Sequence, residues 1–307
     1  MPSLIARRLV QALLALVAVL LVVFVCLLAT GDPVEMLVPP DATELDKTKI
    51  RHAYGLDRPV LYQFGAFAWR AVRGDFGRSF FSDRPALSLV FERLPASVEL
   101  AVASTLIAIV VGVPLGIVAA VKRATVVDQL VIGVALLGQS VASFWLALML
   151  ILWFGVMLQW LPVSGRFGWA SLVLPSVALS VWLLALLARL TRSEMLEVLG
   201  QDFIRTARAK GLGTTALLAR HALRNALIPL VTVTGVSLGW QLGGAVVIEA
   251  VFAWPGLGTI LLEAVLRRDY PVVLAGVAVL STVFVVINLA VDVLYVYIDP
   301  RIRPGRA

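Results

Sequence analysis

Six apolar stretches, each long enough to cross a membrane, constrain this 307-residue chain more than any other feature. A membrane-spanning helix needs about 20 mostly apolar residues. The stretches run from Leu9 to Ala29, Val98 to Val121, Leu130 to Leu158, Leu172 to Leu190, Pro229 to Phe252, and Val272 to Ile298. Only 15% of the residues are charged, whereas a soluble domain has about 25%. The sequence therefore predicts an all-α polytopic membrane protein with six transmembrane helices.

The basic residues predict the orientation of these helices, because Lys and Arg near the ends of a span stay on the cytoplasmic side. With the N-terminus inside, the inner segments carry 14 basic and 5 acidic residues, and the long outer segment 30–97 carries 9 of each. We therefore expect both termini in the cytoplasm. The basic residues are divided among loops without an aromatic platform, so we expect no nucleic-acid partner.

Two long segments lie outside the predicted spans, and the first covers residues 30–97. It is rich in aromatic residues between Tyr54 and Phe81, and Pro59 suits the first turn of a helix. We expect an ordered outer cap with a short amphipathic helix over residues 58–69; a solvated loop with an interfacial aromatic belt is the alternative. The chain accordingly divides into residues 1–97, the first helix with this extracytoplasmic loop, and residues 98–307, a core of five helices.

The second long segment, residues 191–228, lies between the fourth and fifth spans on the predicted inner side. Apolar residues from Met195 to Ala207 recur at the helical period, Gly211 and Gly213 interrupt the pattern, and a second helical stretch covers 216–226. Two short amphipathic helices are predicted. They either lie on anionic lipid through their basic residues or dock a cytoplasmic partner.

Eight short blocks spread over nearly the whole chain carry a family resemblance. They are GLDRP (55–59), GDFGRS (74–79), RLPAS (93–97), RTARAKGL (205–212), RHALRNALIP (220–229), PGLG (255–258), RDYP (268–271) and DPR (299–301). With these blocks the chain resembles the integral-membrane permeases of ABC importers, and most of all the dipeptide, oligopeptide and nickel permeases. The resemblance implies a type I ABC importer permease fold, a location in the bacterial inner membrane, and one half of a peptide translocation pathway.

The resemblance also implies partners. They are a second homologous permease in a heterodimer, two ABC ATPase subunits, and an extracytoplasmic substrate-binding protein. This chain has no Gly-x-x-x-x-Gly-Lys-Ser/Thr phosphate loop. We therefore expect it to be no enzyme and to bind no cofactor itself, with ATP and Mg²⁺ held by the partner ATPases.

In that family the inner segment carries a Glu-Ala-Ala-x-x-x-Gly motif that contacts the ATPase. Arg205 and Thr206 stand where the motif has Glu and its first Ala, while the second Ala and the Gly are kept. Small residues let this helix enter a groove of the partner, and basic residues can pair with acids there. The expected ATPase-coupling loop within 191–228 comprises Arg205, Thr206, Ala207, Arg208, Lys210 and Gly211.

Further site residues are predicted outside this loop. The resemblance places a platform for the binding protein at Gly55, Asp57, Pro59, Gly74, Asp75 and Gly77. Neutral polar side chains within spans could line a wet pathway: Gln139, Ser140, Ser143 and Gln241. The small-residue stripe Gly235, Gly239 and Gly243 packs helices within one bundle or lines the gate between two permeases. Glu99 and Glu249 lie near span ends and take a structural or a functional role.

Functions other than transport by an ABC permease require different residues in the sequence. The chain has a single cysteine and two histidines 169 positions apart, so we expect no metal site. A secondary transporter, which would need coupling acids near the midplane, is the main alternative. An integral-membrane enzyme would show clustered catalytic groups at one depth. Dipeptides, oligopeptides, glutathione-like peptides and metal chelates all remain open as cargo.

Overall fold

The computed structural model describes residues 2–29, 31, 34, 38, 43–53, 57–210, 213 and 223–298, and within these ranges its secondary structure is helical. The helices are α1 (Pro2–Ala29), α2 (Glu44–Ala53), α3 (Val60–Val72), α4 (Ala86–Val121), α5 (Val126–Ser140), α6 (Ser143–Leu150), α7 (Trp169–Leu199), α8 (Asp202–Ala209), α9 (Leu223–Val251), α10 (Leu257–Leu266) and α11 (Tyr270–Ile298). A π-helical segment, Ile151–Met157, continues α6.

Five of the predicted spans are single helices in the structure. They are long and apolar enough to cross a membrane at Val10–Ala29, Ala86–Val121, Trp169–Leu199, Pro229–Val251 and Tyr270–Val291. The remaining predicted span is a broken pair, Val126–Ser140 and Ser143–Met157, whose two halves are bent by 102°. Counting this pair as one span gives the predicted six, and the all-α fold is confirmed.

The expectation of an uninterrupted third span from Leu130 to Leu158 is wrong. Val141 (φ −78°, ψ 127°) and Ala142 (φ −64°, ψ 131°) are extended and separate α5 from α6. Just before the break, the Ser140 hydroxyl donates to the Leu136 carbonyl at 3.0 Å, a local bond that competes with regular helix geometry. A hydropathy scan misses this break because both halves are apolar.

Several helices extend beyond the predicted apolar stretches. Helix α4 begins at Ala86 instead of Val98, and α7 continues past Leu190 to Leu199. Helix α9 begins at Leu223, so Pro229 lies inside it. Hydropathy detects only the part of a helix that suits the bilayer, whereas the hydrogen-bonded helix continues into polar sequence on either side.

The chain forms two compact units, and the first consists of Met1–Ala96 with Gly256–Val285. Its apolar core includes Phe67, Tyr270 and Leu257. The ring of Phe67 lies 5.9 Å from those of Phe24 and Phe76. Helix α3 starts directly after Pro59, which confirms the predicted helix over 58–69. Aromatic contacts with α1 thus hold α3 in an ordered unit.

The second unit consists of Ser97–Pro255 with Val286–Ala307, and within it α4 approaches α7 closely at two glycines. A Cβ placed on Gly112 would lie 2.7 Å from the Leu184 carbonyl oxygen, and one on Gly116 would lie 2.5 Å from that of Ala188. Two glycines one helical turn apart therefore bring the two backbones into direct contact, as small residues do in membrane bundles.

Candidate functional site

Helix α7 ends within the predicted coupling segment, before the point that the sequence pattern indicated. The expectation of one helix through Met195 and Ala207 is wrong, because α7 ends at Leu199 and α8 starts at Asp202. Between them, the Gly200 N–H donates to the Glu197 carbonyl at 3.2 Å. This turn detaches α8 as a separate two-turn helix. Of the second predicted stretch, residues 216–222 lie outside the described residues.

Among the described side chains of α8, Ile204 is the one that is buried against the rest of the second unit. Ile204 is 0% exposed and belongs to an apolar cluster. The other buried members are Ala120 at the end of α4, Met195 and Val198 in the last turns of α7, and Ala226 at the start of α9. Ile204 therefore joins α8 to the ends of three long helices.

Several other described side chains of this helix are exposed. Asp202, Phe203, Thr206 and Lys210 are exposed, and the Thr206 hydroxyl donates to the Asp202 carbonyl at 3.1 Å. The predicted coupling residues Arg205, Ala207 and Arg208 belong to α8 by their backbone, and their side chains lie outside the described residues, as does the whole of Gly211. The site is a short helix with one anchored face and exposed positions beside it.

A buried ion pair lies one turn from this cluster and was not predicted. Arg192 donates to the two carboxylate oxygens of Asp128 at 2.5 and 2.8 Å, and the Ala124 N–H donates to the same carboxylate at 3.0 Å. Asp128 is 3% exposed. The pair joins the first turn of α5 to α7, close to the point where Met195 supports α8. In the sequence, the only sign of this ion pair is that Asp128 lies two positions before the predicted span that starts at Leu130.

The neutral polar side chains predicted for the pathway lie at two places, and the break between α5 and α6 is the first. Ser140 and Ser143 are exposed on either side of it. The Gln139 side-chain carbonyl accepts a hydrogen bond from Arg189 Nη1 at 2.5 Å. Arg189 was expected only as one of the basic residues that orient the chain, and the structure adds it to this polar group.

Gln241 lies at the second place, buried between α9 and α4. Its side-chain carbonyl accepts from the Ser104 hydroxyl at 2.6 Å, and its amide donates to Thr105 Oγ1 at 2.8 Å. Two turns further along α9, Glu249 is 0% exposed and accepts from the Ser97 hydroxyl at 2.5 Å. From the first contact to the second, the residue number rises in α9 and falls in α4. The two helices are therefore antiparallel, and these contacts fix their register.

The predicted glycine stripe of α9 has two different surroundings. Gly235 is buried, and a Cβ there would lie 2.2 Å from Val291 Cγ2; Gly239 is also buried. Gly243 and its neighbour Gly244 are exposed, with no atom of the described chain within 4 Å of a Cβ at either position. The first part of the stripe packs within this chain, and the second part faces outward.

Glu99, the other acid of the spans, forms an ion pair in the second unit. Arg166 donates to Glu99 Oε2 from Nε at 2.9 Å and from Nη2 at 2.6 Å. Beside it, the Gly165 N–H donates to the Phe252 carbonyl at 2.8 Å. The loop before α7 is thereby fastened to α4 and to the end of α9.

The predicted platform residues belong to the first unit. Gly74 (φ 80°) and Gly77 (φ 86°) adopt left-handed backbone angles in a tight turn, where the Gly77 N–H donates to Asp75 Oδ1 at 2.9 Å. Asp57 lies 3.3 Å from His52 Nδ1, Pro59 precedes α3, and Gly55 lies outside the described residues. The described platform residues thus lie at two places, in the turn 74–77 and just before α3.

An unpredicted buried contact fixes the segment that follows this turn. The Ser79 hydroxyl donates to Asp269 Oδ2 at 2.5 Å, and the Phe80 N–H donates to Oδ1 at 3.2 Å. The next residue, Tyr270, places its hydroxyl 2.8 Å from the Leu27 carbonyl. Among the described residues, no three His, Cys, Asp or Glu side chains are grouped so that they could hold a metal ion.

Comparisons with known proteins agree with this arrangement. The family described as the binding-protein-dependent transport system inner membrane component matches residues 112–304. A protein of Brucella abortus (strain 2308), provisionally named a peptide transport system permease protein, is 42% identical over 312 residues and 99% of each chain. The glutathione transport system permease protein GsiC of Escherichia coli (strain K12) is 42% identical over 290 residues and 94% of each chain.

Among solved structures, the chain resembles one from the MetNI methionine ABC transporter in inward-facing conformations. The TM-score is 0.56 at 20% sequence identity, and the match covers 69% of this chain and 96% of the other. At this identity the likeness concerns the fold, and it agrees with the permease fold that the sequence blocks imply.

Proposed function

Because the chain belongs to the family of inner membrane components of binding-protein-dependent transport systems, we propose that it forms half of the translocation pathway of an ATP-driven peptide importer. As a member of that family it is a multi-pass permease component of the bacterial inner membrane, and it is not itself the ATPase. Peptides are the proposed cargo because two relatives at 42% identity are named for peptide and for glutathione transport, and glutathione is itself a tripeptide.

We further propose that α8 is the element that receives the movement of the ATPases. The observation that supports this is the burial of Ile204 in one cluster with the ends of α4, α7 and α9, beside positions that are open to a partner. ATP and Mg²⁺ would be bound by two ABC ATPase subunits, since this chain has no phosphate loop. Helix α8 and both termini then lie on the cytoplasmic side.

The other proposed partners are a second homologous permease, in a heterodimer, and an extracytoplasmic binding protein. The exposed face of α9 around Gly243 and Gly244, with Trp240 72% exposed beside it, supports a contact with another membrane helix. For the binding protein we propose the turn at Gly74 and Gly77, which the Ser79–Asp269 contact holds in an ordered unit.

The experiment is purification of the tagged chain from its native membrane in mild detergent, followed by reconstitution of whatever co-purifies. We expect two ATPase subunits and a second six-span permease. We also expect the proteoliposomes to accumulate peptides when binding protein and ATP are supplied. A chain that purifies alone and moves peptide on an ion gradient without ATP would be a secondary transporter and would contradict the proposal.

A further inference from the structure

Arg189 is a charged side chain inside the apolar helix α7. It is exposed, whereas its neighbours Leu187 and Ala188 are 0% and 1% exposed. Within a membrane, a charged side chain faces the interior of a bundle or a water-filled cavity and marks the path of a substrate or ion. The position of Arg189 therefore requires a polar environment that the apolar surface of α7 does not supply.

The contact with Gln139 places the guanidinium of Arg189 beside the break between α5 and α6. Gln139 follows Asp128, in the first turn of α5, by eleven residues, which is roughly 16 Å at the rise of an α-helix. Arg192, three residues after Arg189, binds Asp128. The two arginines thus bind opposite ends of α5.

The backbone beside Gln139 is also open. Ser140, Ala142 and Ser143 are exposed, and Val141 and Ala142 are extended. Non-helical backbone within a membrane is tolerated only where it is buried in protein or lines a water-filled cavity. The charged guanidinium beside this break favours the cavity, because a charged side chain needs a polar environment.

Gln139 orients the guanidinium without neutralising it. The amide is uncharged, it accepts one bond from Nη1, and among the described residues no carboxylate lies within 4.0 Å of Arg189. The nearest acid along α5, Asp128, already accepts two bonds from Arg192. A guanidinium with donors to spare matches the two oxygens of a carboxylate.

We propose that Arg189, oriented by Gln139, binds the C-terminal carboxylate of a peptide in transit through the break between α5 and α6. The inference rests on the proposed function and adds to it the chemical group that the pathway recognises. Arg189 contacts the substrate, and Gln139 is a positioning residue. The ammonium end of the peptide would be repelled from the same position, so the site also orients the peptide.

The test uses the complete purified complex in proteoliposomes with binding protein and ATP. The probe is an equimolar mixture of peptides of two to six residues, each as the free acid and as its C-terminal amide, with accumulation measured by mass spectrometry. The variants are R189Q, which removes the charge, and R189K, which keeps it. R84Q, at an exposed arginine of the first unit whose charged partner is Glu92, is the matched control.

We expect R189Q to lower accumulation of the free acids about tenfold, in line with loss of a charge-assisted bidentate contact, and to change the amides less than twofold. R189K should retain more accumulation of the acids than R189Q, because Lys keeps the charge although it loses the bidentate geometry, and R84Q should stay within about threefold of wild type. Equal losses of both peptide forms in R189Q, or loss of the co-purifying second permease, would show that Arg189 supports the assembly instead.

Two other outcomes are decisive. If the binding protein itself rejects amides, the wild-type complex accumulates only the acids. The comparison is then between R189K and R189Q for accumulation of the acids. Higher accumulation with R189K supports the proposal, and equal loss in both variants overturns it. If the wild-type complex accumulates neither form, the peptide function falls, and the carboxylate site falls with it. Failure confined to the variants leaves the proposed function intact.

Discussion

Arg192 and Asp128, 64 positions apart in the sequence, form a two-point ion pair with N–O distances of 2.5 and 2.8 Å. The Asp128 side chain is 5% exposed and that of Arg192 28%. Because the Ala124 N–H also donates to this carboxylate, the pair fixes the loop before α5 as well as the helix. It holds α5 against α7 one turn from the cluster that supports α8.

Asp128→Asn should destabilise the detergent-solubilised protein by about 3 kcal/mol, since removing one partner of a buried pair leaves the other charge uncompensated. Thermal unfolding followed by circular dichroism measures the loss. The control is Asp83→Asn at the exposed Arg78–Asp83 pair, which is 2.9 Å long and should change stability by less than about 1 kcal/mol. Equal effects of the two variants would contradict the importance of burial here.

Gly112→Ala and Gly116→Ala should both be destabilising, because the added methyl group meets backbone carbonyl oxygens of α7 at 2.7 and 2.5 Å. We expect losses of about 1–3 kcal/mol, as for other overpacked sites. Gly133→Ala in α5, where no atom lies within 4 Å of the new Cβ, should instead be neutral or slightly stabilising. Denaturant titration of all three variants tests whether steric contact or helix propensity dominates.

Ile204→Ala should uncouple transport, because truncating a fully buried side chain leaves a cavity where α8 is attached. We expect peptide uptake by the reconstituted complex to fall several-fold while the partner ATPases continue to hydrolyse ATP. Leu183→Ala, at an equally buried position of α7 outside this cluster, is the control for a cavity that does not touch α8. Parallel loss of uptake and ATPase activity with a dissociated complex would show that Ile204 serves assembly instead of coupling.

Gln241→Leu should weaken the contact between α9 and α4 by about 1 kcal/mol, the scale of interhelical hydrogen bonds in membranes. A double-mutant cycle with Ser104→Ala isolates the pair, because the two side chains are 2.6 Å apart. Thr234→Val removes only a bond within α9, to Leu230, and is the matched control. A coupling energy near zero would mean that the buried amide does not set the register of the two helices.

Gly243→Leu should weaken the association with the second permease without changing the stability of the isolated chain. A Cβ at this position meets no atom of the described chain within 4 Å, so the stability of the purified chain should be unchanged. Reduced recovery of the second permease in a pull-down is the expected result. Gly133→Leu, at another open glycine, is the control, and unaffected recovery in both variants would place the permease contact elsewhere.

Much of the architecture could be predicted from the sequence. Apolar stretches predicted six crossings, and Pro59 together with the aromatic residues that follow it predicted the helix now seen as α3. The break at Val141 was missed because both of its sides are equally apolar. The early end of α7 at Leu199 was missed because the apolar period continues across Gly200 into α8.

The partners of the polar side chains were the least predictable part of the candidate site. Gln139 and Gln241 were both expected to line a pathway, yet their partners, Arg189 and Ser104, lie 50 and 137 positions away. No local pattern relates such residues. Glu249 was left between a structural and a functional role, and the structure adds its burial beside Ser97.

The sequence by itself determined where the apolar stretches of the spans lie, because the transfer of a helix into a bilayer depends mainly on the composition of that stretch. Short blocks such as RTARAKGL also pointed to the family without any structure. Only the tertiary structure decided which charged side chains form buried ion pairs and which bind an uncharged group. The difference between Arg192, bound to Asp128, and Arg189, bound to an uncharged amide, arises from the packing of α7 against α5.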